Sequence, residues 1–147
     1  MKRFLFILTM AAGLIGFSSF KKAEGIAPAA IQSFQSAFKS ATEVSWSFSN
    51  NYYKANFALN GQYVSAYYDV NGKLVGLIRN ISSMQLPIAL QANLKKEYEG
   101  YWISNLFEAA NDDGTSYYIT VENADTQLVL KASADDNWYL FKKQRKS

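Results

Sequence analysis

From residue 31 onward the apolar residues keep two different periods in turn, and they do so twice. Ile31, Phe34, Ala37, Phe38 and Ala41 recur at three- and four-residue spacing, as one face of a helix requires. Near Val44 the pattern changes to alternation, which is the signature of a strand with one buried face. A second helix-period stretch opens after Pro87 and gives way to alternation near Tyr101. Laid over each other at an offset of about 57 residues, Ile31, Ala37, Ala41, Val44 and Trp46 fall on Ile88, Leu94, Tyr98, Tyr101 and Ile103. A unit this long in two copies fits a duplicated small domain better than an open array of repeats.

The element order follows from the same patterning. A helix over 28–40 starts at Pro28, where a fixed φ and a missing N–H cost least. Val44, Trp46 and Phe48 then alternate with polar residues. In the next strand Tyr53, Ala55, Phe57 and Leu59 share one face, and Tyr52, Lys54, Asn56 and Ala58 the other. Asn60-Gly61 makes a type I′ hairpin turn, whose central positions both need φ > 0. Val64, Ala66 and Tyr68 continue the inward set, and a turn at Asp69, Val70, Asn71 and Gly72 leads into Leu74, Gly76 and Ile78. The second half predicts a helix over 87–97 and strands near 101–109, 115–122, 127–132 and 137–142. Its turns fall at 111–114, 123–125 and 135–137, where Asn, Asp and Gly tolerate positive φ or bond the local backbone. Trp138, Tyr139, Leu140 and Phe141 are apolar on both parities, so alternation assigns no face to the last strand.

The expected fold is therefore α+β: a duplicated helix-plus-four-strand repeat forming an antiparallel sheet of about eight strands, with both helices packed on one face. The uncovered face then carries Tyr52, Tyr63, Tyr67 and Tyr118. Aromatic rings in that position are either cross-strand ladders, each pair contributing roughly 0.2–1 kcal/mol, or a surface for a partner.

The N-terminal residues carry a different message. Met1, Lys2 and Arg3 precede an apolar run over 4–17 and the small residues Ser18 and Ser19, which is a secretory signal pattern with cleavage expected near residue 23. The run is shorter than the roughly 20 residues of a membrane-spanning helix, so no stable span is expected after cleavage. The remaining residues 24–147 read as one domain made of repeats over about 28–82 and 85–143, periplasmic or secreted. Cleavage would remove Lys2, Arg3, Lys21 and Lys22, which leaves 11 of the 15 basic residues against 12 acidic ones and turns the net charge from +3 to −1. Much of the remaining basicity sits in Lys142, Lys143, Arg145 and Lys146, so a nucleic-acid partner is not expected. The chain has no Cys, hence no disulfide framework, and its stability has to come from a helix-on-sheet core.

The chemical inventory argues against catalysis. Without His or Cys there is no imidazole base, no thiolate and no zinc site of the usual kind, and no cofactor motif appears. Asp69, Asp112 and Asp113, with Asp135 and Asp136, supply hard oxygen ligands that could hold Ca²⁺. They do not fit an EF-hand loop. Counted from Asp69, Leu74 and Asn80 stand where Gly and Glu are needed; counted from Asn111, Glu122 fits but Ser116 replaces the Gly.

The order F-x-x-x-F-x-x-A-x-x-V-x-W over 34–46, then Y-x-A-x-F over 53–57 and A-x-Y-D-x-N-G over 66–72, resembles the PepSY-like secreted proteins of Bacteroidetes. The likeness extends through Leu86-Pro87 and Tyr98-x-Gly100-Tyr101. It implies a non-enzymatic exported α+β protein related in fold to the β-lactamase-inhibitor proteins, which grip their targets with a concave, aromatic-rich sheet face. The matching residues here would be Tyr52, Tyr63, Tyr67 and Tyr118. The inhibitors carry disulfides and this chain has none, so the resemblance bears on fold more than on inhibition. The function expected is a protein-binding or inhibitor-like module of the cell envelope, its partner a protein or peptide. The alternatives are binding of a peptide or lipid in a cleft between sheet and helices, and calcium binding.

Overall fold

The computed structural model describes residues 25–147; the expected signal segment lies outside them. The elements are α1 (Pro28–Ala37), β1 (Thr42–Ser49), β2 (Tyr52–Leu59), β3 (Gln62–Tyr68), β4 (Leu74–Asn80), a short 3₁₀ turn (Ser83–Gln85), α2 (Ile88–Glu97), β5 (Trp102–Asn111), β6 (Gly114–Glu122), β7 (Thr126–Ser133) and β8 (Tyr139–Arg145). The strands form one antiparallel eight-stranded sheet in chain order. Among the described residues, no helix is long and apolar enough to cross a membrane.

The helices begin 60 residues apart, at Pro28 and Ile88, against the offset of about 57 in the apolar pattern. Their ends make matching hydrogen bonds at the new offset: Phe38 N–H to Phe34 O and Tyr98 N–H to Leu94 O, then Ala41 N–H to Phe38 O and Tyr101 N–H to Tyr98 O. The apolar pattern misled because it matches Ile31 to Ile88, whereas the fully buried helix residues are Ala30 and Leu90. Helix α1 also stops before residue 40. Phe38 leaves helical geometry at φ −124°, and Ala37, expected inside, is exposed.

Both helices cover the same side of the sheet, and the registers show it. Val64 opposes Arg79, Arg79 opposes Glu108 and Glu108 opposes Tyr117, so one face runs unbroken from the first half into the second. On that face Phe34 packs edge-on against Phe57 and Trp46, with ring centroids 5.0 and 5.4 Å apart, above Ala55, Ala66 and Tyr68. In the second half Leu86 and Leu90 cover Leu106, Ile119, Val121 and Leu130. Each fully buried large side chain contributes about 1.5–3 kcal/mol, and each aromatic pair about 0.5–1.5 kcal/mol more. Burial pushes the Tyr68 phenol up to about 12. Between the two cores Arg79 donates two hydrogen bonds to Glu108, at 3.1 and 3.2 Å, and one to Gln62.

Alternation placed most strand residues on the correct face, and it failed where strands carry an extra residue. Tyr67 opposes Gly76 while Tyr68 opposes Leu74, so a bulge at Val75 leaves Leu74 on the helix side and turns Gly76 and Ile78 to the open side. A bulge near Ser104 and another in β8 act similarly. The apolar run 138–141 is divided by role: Trp138 lies buried under α2 and donates its indole N–H to Leu90 O, while Tyr139, Leu140 and Phe141 are about half exposed. At the other edge, Val44 and Phe48 are exposed rather than half-buried, since β1 has no outer neighbour and is bent by Glu43 at φ 54°.

Turn chemistry fixes the hairpins. Asn60 and Gly61 have φ 51° and 77°, and Asn50 and Asn51 have φ 51° and 64°. Each helix also docks on a turn: Ser33 Oγ–H bonds Gly72 O at 2.8 Å, and Asn93, 60 residues later, bonds Asn137. Gly72 has φ 81°, and a Cβ there would lie 2.6–2.7 Å from the backbone and Cβ of Ala29 and Ala30 N. We predict that Gly72→Ala costs at least about 2 kcal/mol, from positive φ plus the steric conflict with α1. Urea unfolding would check this, and an unchanged midpoint would contradict it.

The end of the chain is held by Glu122. Lys146 Nζ lies 2.6 Å from its carboxylate and Gln127 Nε2 2.8 Å, while Lys146 also covers the Trp102 ring at 4.6 Å. Hydrogen bonds from Lys146, Ser104 and Gln127 hold the Glu122 carboxyl down at about 2. A folded-state pKa below the unfolded one contributes stability above the unfolded value of about 4.3, and loses it as pH falls through the folded value. The stability difference between wild type and Glu122→Gln should therefore be constant at neutral pH and shrink between about pH 4.5 and 2. A pH-independent difference in urea midpoint would contradict the assignment.

Candidate functional site

The face away from the helices carries a cleft of about 540 Å³ near the end of the sheet where the β3–β4, β5–β6 and β7–β8 turns lie. Register explains its shape. Ile78, Ala109, Ser116 and Ser133 oppose one another in succession across β4 to β7, giving a floor of mostly small side chains that crosses the strands. Gly76 extends the floor beside Ile78, and its Cα could carry a side chain without backbone strain, the nearest atom to an added Cβ being Ala110 O at 3.4 Å. Larger residues rise on either side.

One wall is Tyr67, whose ring is covered by Lys54 Nζ at 5.6 Å. Burial raises the Tyr67 phenol and lowers the Lys54 ammonium from their ordinary values. The other wall is a cluster centred on Tyr118. Its ring stacks on Phe107 at 5.0 Å and 10°, meets Phe141 edge-on at 5.7 Å, and lies under Lys131 Nζ at 5.3 Å. Burial works to lower the Lys131 ammonium, but hydrogen bonding and charge interaction with Tyr118 and Tyr139 outweigh it and raise the group. Asp113 and Asp135 stand at the mouth, one on each of two neighbouring turns.

Two of the four tyrosines singled out from sequence, Tyr67 and Tyr118, line this cleft. Tyr63 and Tyr52 do not. Tyr63 is four residues from Tyr67 along β3, about 13 Å away, is 71% exposed, and donates its hydroxyl hydrogen bond to Glu43 at 2.9 Å. That bond, with the Glu43 charge, raises the Tyr63 phenol. Tyr52 lies on the same face beside Lys54, next to the β1 edge, and is half-buried. Gly76, Lys131, Phe107 and Phe141 were not foreseen. The Lys131 position was out of reach of the sequence: counting outward from a turn at 123–125 sets Lys131 against Tyr117, whereas Glu122 in fact opposes Gln127, so that four residues close the hairpin and Lys131 stands against Tyr118.

Of the acidic residues considered for calcium, Asp69, Asp112 and Asp136 are taken up by local structure. Asp69 Oδ1 accepts the N–H groups of Asn71 and Lys73, and Asp112 pairs with Lys73 at 3.6 Å. Among the described residues no three acidic side chains converge as a metal-holding group, and Asp113 faces the cleft mouth instead. The space between helices and sheet, considered as a ligand cleft, is filled by the two cores.

No family model matches the sequence, and no curated protein is similar enough to count as a relative. Solved structures do match. A DUF2874 family protein from Bacteroides uniformis aligns with a TM-score of 0.72 at 17% identity, over 81% of this chain and 88% of that one. A BLIP-like protein from Bacteroides fragilis aligns at 0.70 and 19%, over 81% and 85%. A Bacteroides eggerthii protein whose description names the periplasm aligns at 0.72 and 14%, over 81% and 88%. At such identities the likeness shows the fold alone: this chain has the α+β, single-sheet fold of the BLIP-like proteins.

Proposed function

We propose that the protein is a non-catalytic, periplasmic protein-binding module that docks a partner polypeptide on the open face of its sheet. The observation that carries this reading is the cleft itself: a floor of small residues between Tyr67 and the Tyr118 cluster, on the one face the helices leave bare. Aromatic rings flanking a depression supply large contact area at low entropic cost, and they are the side chains that dominate interface energetics. The periplasmic location is supported by the signal pattern at residues 1–23 and by the description of the Bacteroides eggerthii neighbour. The matching helix-end and helix-docking contacts 60 residues apart support reading the two halves as copies of one unit.

The Phe107–Tyr118–Phe141 cluster stabilises the sheet as a cross-strand ladder as well, so its loss would confound a binding test. Gly76→Leu avoids that difficulty, because it fills the floor while leaving every ring in place. Affinity capture from native envelope extract should lose at least one protein with Gly76→Leu and with Tyr67→Ser, while circular dichroism shows an intact fold. Recovery of the same set of proteins by folded variants and wild type would contradict the open-face reading.

A further inference from the structure

Resting on that reading, we propose that the groove takes an extended polypeptide segment laid across the strands and carrying a lysine or arginine that reaches Asp113 and Asp135. The floor from Ile78 to Ser133 crosses β4 to β7. Three strand spacings amount to about 14 Å, which about four extended residues span. Small floor residues let a backbone approach closely, and the Ser116 hydroxyl and Asn111 amide in the lining can bond its N–H and C=O groups.

Charge at the mouth selects the side chain. Asp69 and Asp112 are occupied by their own turn and by Lys73, but Asp113 and Asp135 take part in no ion pair among the described residues. The cations of the groove are set back from the mouth: Lys131 is held by Tyr118 and Tyr139, and Lys54 lies on the Tyr67 ring. The uncompensated potential at the turn end is therefore negative. A basic side chain entering there would lay its methylene stem along Tyr67, Tyr118 or Phe141 and place its head between two carboxylates, a match for both halves of an amphipathic group.

A phage-displayed library of random dodecapeptides, panned on the purified protein, tests this. The selected sequences should be enriched in Lys or Arg, and a synthetic peptide from the set should bind the Asp113→Asn/Asp135→Asn variant at least about tenfold more weakly than wild type. Changing the basic residue of that peptide to Gln should cause a similar loss on wild type and little further loss on the variant. Selection of peptides without basic residues, equal binding to wild type and variant, or a library that yields no binder overturns the proposal. Gly76→Leu separates the two readings. Peptides that lose binding on Gly76→Leu but keep it on the Asn variant leave the groove as the docking surface and remove only the basic segment; peptides indifferent to Gly76→Leu remove the groove as well.

Discussion

The pairing of β4 with β5 is the contact on which the rest of this molecule depends. Each helix buries its own apolar stripe on the strands that follow it, and the two cores share no buried residue. What joins them is the ladder from Leu77–Ala110 to Asn80–Phe107, reinforced on the helix side by the two-bonded Arg79–Glu108 pair. The same ladder places Ile78 beside Ala109 on the opposite side, and those two residues lie in the groove floor. A polar contact between two cores on one face is thus backed, on the other, by the residues that form the groove floor.

The division of labour between the faces follows from size and order. Helices dock on the sheet through turns with little room to spare, as Gly72 beneath Ala29 shows. That face is filled, with Ala30, Phe57, Tyr68, Leu90 and Ile119 at or near zero exposure. On the open face, rings stand at intervals with small residues between them. Ile78 and Phe107 are nevertheless 8% and 6% exposed, because neighbouring side chains shelter the floor without any helix above it.

Residues whose placement depends on local rules were legible in the sequence. Asn60-Gly61 fixed its hairpin, and alternation put Tyr53, Ala55 and Phe57 inward and Tyr67 outward. Features that depend on an extra residue in a strand were not. The bulge at Val75 carries no signal in apolar alternation, yet it alone turns Gly76 into the groove floor. The buried face of α1 was hard to read for a related reason: a fully buried Ala30 contributes little to an apolar pattern. Of the four tyrosines read from the sequence as one surface, two line the groove, because strand direction sets Tyr63 at the far end of β3 and Tyr52 nearer the β1 edge.

The central claim is that function resides on the open face rather than on the helices. A photoreactive benzoylphenylalanine at position 116, on the groove floor, compared with one at position 36, on the exposed side of α1, tests it in living cells. The account predicts a covalent adduct to another polypeptide from position 116 and none from position 36. Adducts from position 36 with none from position 116 would contradict it.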